Sequence, residues 1–271
     1  RADVSFFNLE LPLSERGEPC RGKGINHRGK PLNVEGLVDI GVTCVNLANN
    51  HILDFGEDAF FDTLALLDAK KVGRFGAGRN AAEARKGLVV EKNGLRIGFL
   101  GYSTTLPTGF AATPANAGVN PLRVHTAYEA PVDLVEYPGH APKVVTRTEP
   151  ADLARLRDDV RVFGKSVDVL LVYMHWGTSM TPRVQDFQTE IAHTAIDAGA
   201  HAIFGGHQHV LSAIEFYHGR PIVHCSANLL FDTWTTFFND ENRKTFLFGA
   251  TLEKGGLRDC YLIPATTGVD A

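Results

Sequence analysis

The sequence predicts an α/β fold, and three observations carry that prediction. Apolar, strand-like runs alternate with amphipathic helical patterns along most of the 271 residues. Turn signals of the Asn-Gly type join neighbouring runs into hairpins. Three runs end directly in polar side chains that bind metal ions, at Asn49-Asn50-His51, His175-Trp176-Gly177 and Gly205-Gly206-His207-Gln208-His209. Groups placed just past strand ends converge at one edge of a sheet, where open α/β folds keep their sites.

Taken in order, Phe6-Phe7-Asn8-Leu9 is strand-like and delivers the carboxylate of Glu10 at its end. Thr43 to Ala48 leads into Asn49-Asn50-His51 in the same way. Residues 57–71 have helical periodicity, with an apolar stripe of Phe60, Phe61, Leu64, Leu66 and Leu67. Asn93-Gly94 joins 88–91 to 96–100 as a hairpin. Residues 103–150 break the rhythm: rich in Thr, Ala, Pro and Gly, they read as a functional loop or lid over the site. Pro150-Ala151-Asp152 opens another helix, and Asp168 to Met174 is a strand ending at His175. Residues 184–198 are helical through Val184, Phe187, Ile191, Ala195 and Ile196, with Gly199 as the stop. His201 to Phe204 is a strand leading into Gly205. His218-Gly219 joins 211–217 to 220–225, and a last hairpin over 245–264 turns at Lys254-Gly255-Gly256.

A formal charge of −4 and a pI near 6.3, with no basic run, give no electrostatic footprint for nucleic acid or an anionic membrane. No apolar stretch approaches the length of a membrane span. Arg1-Ala2-Asp3-Val4 reads as a segment entered mid-fold, which leaves room upstream for a leader or anchor. The four cysteines, Cys20, Cys44, Cys225 and Cys260, are too widely spaced for a thiolate zinc site or a disulfide framework. Cys44, Cys225 and Cys260 read as small buried residues, which favours a reducing, cytoplasmic compartment.

Two imidazoles at i and i+2, His207 and His209, can bind two adjacent metals or one metal from a tight loop. A polar turn that happens to hold two histidines is the alternative, and the two other histidine-bearing strand ends weigh against it. The Asn50 side-chain oxygen is a workable ligand for a borderline cation, which leaves His51 to act as general acid or charge stabiliser. The asparagines could instead supply only turn and capping oxygens, as could Asp54. His175 emerges beside the other strand ends, and Trp176 walls the site or packs in the core. Glu10 could bridge two cations, which together would polarise a phosphoryl or carbonyl oxygen.

Together these segments resemble the CapA family of the calcineurin-like metallophosphoesterase superfamily, named for poly-γ-glutamate capsule synthesis. The resembling stretches are Asn8 to Leu13, Val45 to Gly56, Gly76-Ala77-Gly78 with Glu83-Ala84, and His175-Trp176-Gly177. Asp197 to Ala200, Gly206 to His209 and Ser226 to Asp232 complete them. The resemblance implies two packed mixed sheets flanked by helices, in one domain over residues 1–271. It implies Glu10 as the bridging carboxylate, Asn50, His175 and His207 on one metal, His209 on the other, and His51 near the leaving group. It thus implies one or two divalent transition-metal ions (Mn, Fe or Zn).

Three departures stand out. Family members begin with a strand ending in Gly-Asp, and no residue before Glu10 matches it, so the first strand is expected to be missing. His175-Trp176-Gly177 is followed by Thr178-Ser179-Met180 where a Glu is usual, and the usual Ser-x-Gly-Asn reads Ser226-Ala227-Asn228.

The leading reading is a metal-dependent hydrolase in which metal-bound hydroxide attacks a phosphoester or amide/γ-glutamyl-type bond, linked to polymer metabolism. Its partner is a small-molecule or polymer substrate, with Arg74, Arg79 and Arg183 as candidate anion binders. A non-hydrolytic accessory or scaffold protein of polymer synthesis or export is the second reading. The third is a specialised metabolic enzyme acting on a non-phosphate small molecule, motivated by Tyr128, Tyr137 and His140 in the 103–150 segment.

Overall fold

Alternation along the strands sorts the apolar residues into layers, and the layers define the architecture. The computed structural model describes residues 2–130, 136, 139–231, 239 and 242–267. In chain order come β1 (Phe6–Asn8), α1 (Val34–Asp39), β2 (Cys44–Asn46), α2 (Gly56–Ala69) and β3 (Gly73–Phe75). Next are β4 (Ala77–Gly78), α3 (Ala81–Arg85), β5 (Leu88–Lys92), β6 (Leu95–Ser103), β7 (Gly118–Val119), β8 (Val124–Glu129) and β9 (Lys143–Thr148). Then follow α4 (Pro150–Gly164), β10 (Val169–His175), α5 (Asp186–Ala198), β11 (Ala202–Gly206), β12 (Ile214–Tyr217) and β13 (Arg220–Val223). The hairpin β14 (Lys244–Glu253) and β15 (Gly256–Thr266) closes the order.

β1, β2 and β3 form a three-stranded sheet in that order, and a six-stranded sheet runs β12-β13-β11-β10-β6-β5. The larger sheet is mixed, as expected: β13, β11, β10 and β6 are parallel, and the antiparallel β12 and β5 form its edges. The smaller sheet corrects the expectation, being parallel throughout. Its strands are linked by helical crossovers, which parallel pairs require.

In β10, Leu170, Val172 and Met174 pack with Phe187, Ile191 and Ala195 of α5 and with Leu156 and Val160 of α4. Val169, Leu171 and Tyr173 face the other way, onto Cys44 and Phe75 of the smaller sheet. α2 covers the far side of that sheet through Phe60, Leu64 and Leu67. The stack is therefore helix, sheet, sheet, helix. Between the sheets, Phe6 meets Phe99 at 5.4 Å and Phe204 at 5.2 Å, with Phe75 and Tyr173 each at 6.4 Å, all edge-on. Such pairs contribute about 0.5–1.5 kcal/mol each beyond burial.

The same period of two puts His175 on the inter-sheet face, because it continues the series 169, 171, 173. Asn46, also facing the larger sheet, is fully buried. It fits there because two neighbours are glycines: a Cβ on Gly101 of β6 would lie 2.3 Å from Asn46 Oδ1, and one on Gly76 would lie 2.7 Å from it.

The 103–150 segment is more regular than its composition announces. β7 pairs with β4, and β8 with β9 as an antiparallel hairpin. β8 is almost wholly exposed and β9 largely so, hence neither has the apolar alternation that would reveal a strand. Tyr128 lies on β8 and is 71% exposed, and Tyr137 lies outside the described residues. Cys260 is also a correction. It is exposed on β15, a strand whose residues are mostly exposed, while Cys44 and Cys225 are buried. No helix among the described residues is long and apolar enough to cross a membrane.

Candidate metal centre

Both sheets contribute side chains to one place. Glu10 follows β1 and Asn50 follows β2, while His175 ends β10 and His207 follows β11. One donor atom each from Glu10, His175 and His207 lies within 4.8 Å of the others, forming a group able to hold a metal ion. His175 Nε2 is 2.7 Å from Asn50 Oδ1 and 3.2 Å from Glu10 Oε1. The rings of His175 and His207 are 4.9 Å apart, and those of His207 and His209 are 6.0 Å apart. His209 therefore sits beside the three-residue group, outside it.

An amide network aims Glu10. Asn8 Nδ2 donates to Glu10 Oε2 at 2.9 Å, and Asn8 Oδ1 accepts from the amides of Asn46 at 2.8 Å and Asn49 at 3.2 Å. Asn49 also donates to the Leu9 carbonyl, and its oxygen accepts the N–H groups of His51 and Ile52. The two asparagines thus divide the roles read from the sequence: Asn49 supplies the turn oxygen, and Asn50 faces His175.

The histidine loop is built on close approach and strain. A Cβ on Gly205 would lie 2.1 Å from the His224 carbonyl oxygen, and one on Gly206 would lie 2.0 Å from the Tyr173 hydroxyl. His207 has φ +94° and His209 +58°, a region that costs a non-glycine residue on the order of 1–3 kcal/mol. His209 Nδ1 lies 2.7 Å from Asn228 Oδ1. An amide oxygen only accepts, so Nδ1 carries the proton and Nε2 keeps its lone pair, the arrangement that prepares an imidazole for a metal.

Several buried polar atoms of this group lack partners. Glu10 Oε1, His175 Nδ1 and His207 Nδ1 are buried without a hydrogen bond. The Glu10–His175 approach has the distance of an ion pair without hydrogen-bond alignment. Burial alone would raise the Glu10 carboxyl, but the charge and proximity of His175, helped by His209 and His51, hold it well below the usual carboxylate range. Burial, with the charge of His175, pushes the His207 imidazole down to about 3 against the pull of Glu10. A carboxylate and imidazoles brought together at a buried place, with polar atoms that lack hydrogen bonds, are a donor set that fits a borderline divalent cation.

His51 is organised differently. Its Nδ1 is 2.6 Å from Asp54 Oδ2, and Asp54, fully buried, is also paired with Lys23. The sequence reading gave Asp54 only a turn oxygen. Its real partner is the imidazole three residues earlier, a spacing that could have been read as a His-Asp pair. Lys23 was missed entirely, as were Asn8 and Asn228 as orienting groups. The rings of His27 and His51 stand 4.4 Å apart, and the Phe231 ring lies edge-on to His27 at 5.8 Å and to His209 at 5.6 Å.

Other candidates fall away from this chemistry. Trp176 is fully buried, donates to the His224 carbonyl at 2.9 Å and stacks on the His224 ring, so of its two readings the core one holds. Arg74 is committed to Asp68 and Glu83, and Arg79 approaches Glu83 at 3.8 Å over the Phe61 ring. The Arg183 carbonyl accepts from Gln208 at 3.4 Å. Gln208 is buried and ties down the 181–183 segment, so its side chain is structural. Asp232 lies outside the described residues.

Comparison with known proteins shows the family and the fold. The family model of the bacterial capsule synthesis protein PGA_cap matches residues 1–233. The PGA biosynthesis protein CapA of Bacillus subtilis is 29% identical over 237 residues, covering 86% of this chain and 55% of that protein. A Mycobacterium tuberculosis protein named a probable polyglutamine synthesis accessory protein is 29% identical over 234 residues, covering 85% and 56%. The chain thus spans about half the length of these curated relatives. A crystal structure of a hypothetical protein from Thermus thermophilus shares the fold, with a TM-score of 0.53 and 15% identity over 98% of this chain and 88% of that one.

Proposed function

This chain belongs to the bacterial capsule synthesis protein family PGA_cap, and from that premise we propose that it is a metal-dependent hydrolase acting in poly-γ-glutamate or related polymer metabolism. Its substrate carries a phosphoester or an amide/γ-glutamyl-type bond. The names of the relatives support the polymer connection. The observation that carries the hydrolase reading is the convergence of Glu10, His175 and His207, with buried atoms that lack partners.

In this reading Glu10, Asn50, His175 and His207 would hold one divalent ion, and Glu10 with His209 could serve a second. A bound cation would polarise the scissile group and make water nucleophilic near neutral pH. The protein's own groups do the rest. The amides of Asn8 and Asn49 keep Glu10 aimed, and Asn228 fixes the ring orientation of His209. Asp54 accepts the Nδ1 proton of His51 and so fixes the ring, leaving Nε2 as the nitrogen that, when it too is protonated, would hand a proton to a leaving group.

The test is elemental analysis of protein purified without chelator or added metal, followed by turnover assays on phosphoester, amide and γ-glutamyl substrates. One or two transition-metal ions per chain, with turnover of one substrate class, is the expected outcome. No metal after reconstitution and no turnover would favour an accessory role in polymer synthesis, the role that the Mycobacterium relative's name carries.

A further inference from the structure

Lys23 stands between two glycines in the segment joining β1 to α1, a sequence setting that reads as an exposed loop. Its side chain is nevertheless only 14% exposed. Withdrawing an ammonium from water is costly unless acceptors replace its hydration. Two acceptors meet Nζ, the Asn50 carbonyl oxygen at 2.5 Å and Asp54 Oδ1, while His51 Nδ1, whose proton goes to Asp54, lies alongside at 2.9 Å. The neighbouring backbone closes on the same aspartate. Cys20 N–H donates to the Asp54 carbonyl at 2.8 Å, and His27 N–H donates to Asp54 Oδ2 at 2.6 Å.

The arrangement couples two functional side chains. Asn50 is held by its carbonyl from Lys23, while its side-chain oxygen meets His175. His51 is held through Asp54, whose second oxygen pairs with Lys23.

We propose that Lys23 is the positioning residue of the Asn50–His51 turn: by tying the Asn50 carbonyl to the Asp54 carboxylate, it sets the Asn50 donor oxygen and the His51 ring together. The inference builds on the hydrolase reading, since that reading gives Asn50 and His51 their tasks. Removing Lys23 loosens both at once, although Lys23 is not one of the grouped metal-binding residues.

The experiment compares the wild type with Lys23→Met and Lys23→Arg by two readouts. In the metal-free protein, the His51 Nδ1 proton shared with Asp54 should give a downfield proton NMR signal, identified by its loss in His51→Gln. That signal should broaden away in Lys23→Met and return in Lys23→Arg. Titration with Zn²⁺ or Mn²⁺ should give Lys23→Met an affinity weaker by about 10–100-fold, the usual effect of losing an outer-shell partner, with Arg restoring most of it. An unchanged signal and affinity in Lys23→Met would overturn the inference. So would absence of the signal in the wild type, or parallel loss of affinity and melting temperature in both variants. If the wild type binds no metal, the hydrolase reading fails, and the NMR comparison alone still decides the role of Lys23.

Discussion

The two halves of the candidate centre are built on opposite principles. Around Glu10, His175 and His207, buried polar atoms are left without partners and the backbone at His207 is strained. Around His51, nearly everything is paired: Asp54 accepts from the imidazole, from Lys23 and from the His27 N–H. Unsatisfied buried groups cost about 1–3 kcal/mol each, so the first half is bought with stability. The second half stabilises itself. The contrast teaches that one site can join a half whose buried polar atoms lack partners to a half whose groups are already paired with one another.

Five substitutions would break or sharpen that contrast. The largest effect is expected from His207→Ala or His175→Ala. Loss of an outer partner already weakens metal binding about 10–100-fold, so loss of a ligand should exceed it, and elemental analysis should find the chain depleted of metal. Next, His51→Gln should lower kcat by about 10²–10⁴-fold, the range for a lost proton donor, with metal content unchanged. If metal is lost as well, the halves are not separate. Third, Asp54→Ala should destabilise the metal-free protein by about 3 kcal/mol in denaturant unfolding, since it strands the largely buried Lys23 cation. The smallest effect has the opposite sign. His207→Gly should stabilise the metal-free protein by about 1 kcal/mol, because glycine adopts positive φ without strain. Were both stability changes to have the same sign, the contrast would fail.

Much of this was legible in the sequence, for reasons that depend on range. The hairpins at Asn93-Gly94 and His218-Gly219 and the helix over 186–198 follow from local turn chemistry and periodicity. The strand ends bearing His175 and His207 follow from runs buried on both faces. The β8–β9 hairpin was hidden because exposure removes alternation. Lys23 was hidden because its partners lie 27 to 31 residues away, and nothing local marks a lysine that will be buried. Asp54 was misjudged for a simpler reason, that a turn oxygen and a histidine partner look alike in one dimension.

Asn46 has a consequence of another kind. Glu10 and Asn50 belong to the smaller sheet, whereas His175 and His207 belong to the larger one, so sliding of one sheet past the other would pull the centre apart. Greasy surfaces such as the ring cluster around Phe6 resist separation far better than they resist shear. The Asn46 amide, seated where Gly76 and Gly101 leave room for it, works as a key in a slot. Any shear by one residue would drive its polar oxygen against a side chain or leave it stranded in the apolar layer. The alignment of the four groups is thereby fixed by a residue that belongs to none of them.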